Sequence, residues 1–240
     1  MISFRRRLSL SGILPPSDAP RIVSREDVMM EHQEETTTGS ARDLVVIAAS
    51  AGGMEALHAI LGALPADFPA AIAVVLHRMT SHAELLGELL RIWSPLSVRD
   101  ALDGDLLVAG TIFIAPPDRH MTITAARTVA LVHGKPIRHV PSSADPLFES
   151  AAVVFRDRLT AVILSGGDGD GADGVVAIKR TGGMTIAQDP DTAFCGDMPR
   201  SAIATGAIDE VLALESIATA LVARVCDPDT SGRERPVGSP

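Results

Sequence analysis

The chain has 240 residues, room for one large domain or two small ones around a sizeable buried core. Hydrophobic residues make up 46% and charged residues 21%, a balance that excludes global disorder. With 30 acidic against 21 basic side chains and a formal net charge of -9, the surface would repel a phosphate backbone, which argues against nucleic-acid binding. No apolar run approaches the roughly 18 to 20 residues that span a bilayer, so no membrane insertion is expected. Arg5, Arg6 and Arg7 precede only a short stretch broken by Ser9, Ser11 and Gly12, too polar for a signal-peptide core. Cys195 and Cys226 cannot build a disulfide framework and lack zinc-ligand spacing; the expected compartment is the reducing cytoplasm.

Residues 1–42 hold no hydrophobic period and are punctuated by Pro15, Pro16 and Pro20, so a flexible N-terminal arm is expected. Residues 227–240 read as a flexible C-terminal tail, leaving 43–226 as the folded unit. Within it, 44–49 is a short apolar run that predicts a strand, and 53–64 carries helical spacing. A second strand is predicted at 71–77, then a helix through Ala83, Leu85, Leu86, Leu89 and Leu90 with Ser81 as N-cap. A third strand covers 111–115, and 121–132 has the pattern of a hairpin. Beyond it the pattern predicts helix 147–155, strand 160–164, helix 172–179, strand 184–188, helix 201–205, strand 211–214 and helix 216–225. The fold class is therefore α/β: a mostly parallel, doubly wound sheet with helices on both faces and a small antiparallel hairpin subregion.

In such a sheet, reactive groups collect in the crevice outside the carboxyl ends of the strands. Three stand there: Ser50 after the first strand, His77 after the second, and Asp170 in the Gly-rich segment that follows the strand from Thr160. A serine hydroxyl needs a base within reach, and the base needs a carboxylate to fix its tautomer, so these residues fit a Ser-His-Asp triad. The small residues Ala48-Ala49-Ser50-Ala51-Gly52-Gly53 suit a sharp turn, which would put the Ala51 N–H at a helix N-terminus as an oxyanion donor. The same turn also fits a backbone phosphate cradle or a plain structural turn, although it holds neither G-x-G-x-x-G nor a Walker lysine. His77 alone could equally be a structural histidine, and His120 is a competing base. His82, His133 and His139 read as surface, and Cys195 as structural. Asp168, Asp170 and Asp173 mimic the start of a calcium loop, but Ala172 and Lys179 occupy ligand positions, so no metal is expected.

Taken together, several segments resemble the catalytic domain of CheB, the chemotaxis protein-glutamate methylesterase. They are the stretch from Ala48 to Leu57, Val74-Val75-Leu76-His77, Asp103-Gly104-Asp105, Ile114-Ala115-Pro116-Pro117-Asp118-Arg119-His120, and Ser143-Ala144-Asp145-Pro146-Leu147-Phe148. Leu164-Ser165-Gly166, Asp170-Gly171-Ala172, Ala187-Gln188-Asp189 and Met198-Pro199 complete the set, in the family's order and spacing. The resemblance implies Ser50 as nucleophile, His77 as base and Asp170 as the third member, with Ala51 and Gly167 positioned for the oxyanion and substrate. It implies hydrolysis of glutamate methyl esters on the methylated cytoplasmic domain of a chemoreceptor or similar signalling protein, with methanol released and glutamine deamidation in some members. It implies no metal or organic cofactor. Ala51 stands where many members have Thr, Gly167 where many have Met, and Asp197 where Gly is usual before Met198-Pro199. The segment before Leu44 lacks the length and acidic strand-end residues of a receiver domain, so a stand-alone esterase is expected. A non-catalytic signalling module on the same fold and a small-molecule carboxylesterase are the competing readings.

Overall fold

Two apolar runs set the centre of the molecule. Asp43–Ala49 (β1) and Ala70–Leu76 (β2) are buried along almost their whole length, as strands covered on both faces must be. They pair in parallel, with Ala49 opposite Leu76, and the other edge of β1 pairs in parallel with Leu159–Ile163 (β7). Ser97–Asp100 (β3), Thr111–Ile114 (β4), Met184–Gln188 (β8) and Glu210–Leu212 (β9) extend this core. The result is a seven-stranded, all-parallel sheet in the order β3-β4-β2-β1-β7-β8-β9 among the described residues. His120–Ile123 (β5) and Val129–Val132 (β6) form a separate antiparallel hairpin. The structure is a computed structural model that describes residues 39–77, 83–135, 137 and 141–226.

Alternation along β1 divides the core in two. Val45, Ile47 and Ala49 pack with Gly53–Leu61 (α1), Ala83–Trp93 (α2) and the last helix, Leu214–Cys226 (α6 in the order used here). Leu44, Val46 and Ala48 pack with Asp145–Phe155 (α3), Ala172–Arg180 (α4) and Asp197–Ala204 (α5). The chain leaves β1 for α1 on one face and leaves β7 for α4 on the other. Two neighbouring strands whose connections diverge in this way open a crevice at their carboxyl ends.

The α/β architecture expected from the sequence is the one adopted. Several boundaries differ. β3 was not expected, because it is an edge strand in which Val98 alone is buried, too little for a hydrophobic pattern. α3 and α5 begin at Asp145 and Asp197, ahead of the expected 147 and 201, because Pro146 and Pro199 sit in first turns, where no N–H is required. Ala41 is buried and donates its N–H to the Leu107 carbonyl, so packing begins before β1. Ser81, His82, His139, residues 1–38 of the expected arm and the expected tail lie outside the described residues. No described helix is long and apolar enough to cross a membrane.

Candidate active site

Ser50 is the first residue past β1. Its N–H donates to the Ser165 carbonyl at 2.9 Å, and its own carbonyl accepts from Gly53 N–H at 2.8 Å, which closes the turn into α1. The turn requires glycine at position 52, where φ is +77° and a Cβ would lie 2.4 Å from Cβ of Phe194. Ser165, the second residue past β7, staples the turn from the neighbouring strand: its hydroxyl donates to the Ala51 carbonyl at 2.6 Å and accepts from Cys195 N–H at 2.9 Å. Gly166 lets these segments close up, since a Cβ there would lie 2.0 Å from Met198 Sδ and 3.0 Å from Ser50 Cβ.

His77 stands one residue past β2, its N–H bonded to the Ala49 carbonyl at 3.0 Å, so it adjoins Ser50 across a single strand spacing. Its imidazole meets two carboxylates: Nε2 lies 2.8 Å from Asp170 Oδ2, and Nδ1 lies 3.1 Å from Asp168 Oδ2. Asp170 is fully buried at the start of α4 and accepts two further hydrogen bonds, from the Ser143 hydroxyl on Oδ1 and from Ala144 N–H on Oδ2 at 2.6 Å. Asp168 is 31% exposed, and its Oδ1 accepts from Asp170 N–H at 3.0 Å. Burial works against the imidazolium and is the largest influence on His77, but the hydrogen bonds and charges of Asp168 and Asp170 outweigh it and push its pKa up to about 9. Burial likewise opposes ionisation of Asp170, yet His77, Ser143 and Ala144 together hold its carboxyl below the usual aspartate range.

Of the expected residues, His77 and Asp170 are joined directly, whereas no hydrogen bond links Ser50 to His77 among the described residues. Ala51 and Gly167 are exposed residues of the turns that follow β1 and β7, and neither N–H has a backbone partner among the described residues. A Cβ at Gly167 would find Cys195 Sγ as its nearest neighbour, at 3.6 Å, so this wall of the site is open. His120, the competing base, is buried elsewhere: Nδ1 accepts from Ser143 N–H at 3.1 Å, leaving Nε2–H to donate to the Lys135 carbonyl at 3.2 Å. Three contributors were missed from sequence: Asp168 as a partner of His77, Ser143 beneath Asp170, and Ser165 beneath Ala51. Ser143 and Ser165 did stand in the family-like segments, as polar residues beside apolar runs.

A family profile described as CheB methylesterase matches residues 45–221. A Symbiobacterium thermophilum protein named protein-glutamate methylesterase/protein-glutamine glutaminase is 41% identical over 184 residues, which cover 77% of this chain and 51% of that protein. A Leptospira interrogans protein bearing the same two activities in its name is 38% identical over 179 residues, 73% of this chain and 91% of that one. The crystal structure of the Thermotoga maritima CheB methylesterase catalytic domain aligns with a TM-score of 0.73 at 34% identity, covering 75% of this chain and 97% of that chain. The chain spans about half the length of the Symbiobacterium relative and of a Pyrococcus horikoshii relative with the same name.

Proposed function

The chain belongs to the CheB methylesterase family, and on that premise we propose that it is a serine hydrolase removing methyl esters from glutamate side chains. Its substrate is the methylated cytoplasmic domain of a chemoreceptor or a similar signalling protein, its place the cytoplasm, and its second reaction the glutamine deamidation carried in its relatives' names. Ser50 is the nucleophile. His77 takes the Ser50 proton, through the nitrogen that Asp170 does not hold, as Oγ attacks the ester carbonyl. Asp170 orients the ring and balances the imidazolium. The negative charge that develops on the carbonyl oxygen faces the N–H groups of Ala51 and Gly167, each worth on the order of 3 kcal/mol if aligned. His77 then protonates the departing methoxide, and water attacks the acyl-enzyme with the same imidazole as base.

The observation that carries this reading is the 2.8 Å hydrogen bond between His77 and the buried Asp170, formed one strand away from the turn that exposes Ser50. Methanol release from methylated receptor membranes tests it. Ser50→Ala and His77→Ala should each lower the rate by several powers of ten, and release by Ser50→Ala equal to wild type would remove the esterase assignment.

A further inference from the structure

We propose that Asp168 is a positioning residue that clamps the second nitrogen of His77, holding the base latent until Asp168 swings away and leaves Nδ1 to Ser50. The inference rests on the reading of Ser50 and His77 as nucleophile and base. A general base must offer a lone pair to the hydroxyl while its other nitrogen is held as N–H by a carboxylate. Here both nitrogens face carboxylates, and because an ionised carboxylate only accepts hydrogen bonds, both nitrogens carry protons when the two are ionised. The ring is then an imidazolium with no lone pair, in keeping with its raised pKa, and the Ser50 hydroxyl has no hydrogen bond to it.

The two carboxylates are not equivalent. Withdrawing Asp170 would strand a fully buried charge and break its bonds from Ser143 and Ala144. Withdrawing Asp168 gives up the bond its Oδ1 accepts from Asp170 N–H but takes a side chain that is already partly exposed into water, from a loop in which glycines 167 and 169 flank it. Once Oδ2 leaves, the Nδ1 proton is lost to bulk water more readily, the neutral fraction of the ring rises, and Nδ1 is the nitrogen left to accept the Ser50 proton. Asp168 and Asp170, both from the β7–α4 loop, are the charged groups that act on the imidazole among the described residues; β1 presents the uncharged Ser50.

The test follows the His77 imidazole by NMR titration in the full chain, alongside the rate at which a fluorophosphonate labels Ser50 at pH 7. Wild type should titrate near pH 9. Asp168→Ala should titrate at least about one pH unit lower and label on the order of tenfold faster, because the neutral fraction at pH 7 rises by that factor. Asp168→Asn, which keeps the side-chain shape, should move the same way if the alanine variant disturbs the loop. An unmoved titration in both variants overturns the clamp. So does labelling as slow as in His77→Ala, which would make Asp168 the orienting carboxylate. If the titration moves but Ser50 resists the probe in every variant, the clamp on the ring stands and the nucleophile assignment falls.

Discussion

Asp170 is where the polar groups of the site converge. One buried carboxylate serves an imidazole, a hydroxyl and a backbone amide from two separate parts of the chain. Asp170→Asn keeps the shape but replaces an acceptor with an amide that cannot balance the imidazolium, so methanol release should fall on the order of 10⁴-fold. Ser143→Ala removes one of the three groups from a carboxylate that water cannot reach. It should cost about 1–3 kcal/mol in urea denaturation, and equal midpoints would show that Ser143 contributes nothing. Ser50 and His77 stand out as candidates in the sequence because each directly follows a recognisable strand, and Asp170 because it lies in the Gly-rich loop after another. The Asp168 contact does not. Two aspartates two residues apart in a Gly-rich loop do not reveal that both reach the ring, as they do here, one on each nitrogen.

Buried parallel strands announce themselves, since burial on both faces leaves continuous apolar runs such as Val45-Val46-Ile47 and Val74-Val75-Leu76. β3 hides for the opposite reason, and the prolines of α3 and α5 disguise helix starts as breaks. What periodicity cannot disclose is the close approach of loops, which at this site depends on Gly166. Gly166→Ala would drive a methyl group into the buried Met198 and against Ser50. The overpacking should cost about 1–3 kcal/mol and slow fluorophosphonate labelling of Ser50. Gly167→Ala adds the same methyl where the nearest atom is 3.6 Å away, and should change stability by no more than about 0.5 kcal/mol. Indistinguishable thermal midpoints for the two variants would refute this account of the junction.

Across the molecule as a whole, these groups bracket a pH window. Burial opposes ionisation of Asp209 too, but Lys179 and Thr185 outweigh it and depress its pKa, while they tie β8 to α4. A depressed carboxyl adds stability above its unfolded value, and that stability is lost as pH falls through the folded value. Asp170 and Asp209 thus govern the acid side. His77 works in reverse: the stability from its raised pKa is complete below 6.5 and disappears as pH climbs through about 9. Thermal midpoints measured from pH 3 to 10 should therefore decline at both ends, and Asp209→Ala should flatten the acid decline while sparing the alkaline one. The hairpin takes part in this architecture from outside the main sheet. Its His120 grips the amide of Ser143, whose hydroxyl in turn grips Asp170. The ribbon is thereby a tension member for the carboxylate, and the Ser143 amide proton becomes an internal gauge: its deuterium uptake reports how firmly the ribbon is moored, and so how taut the site stands.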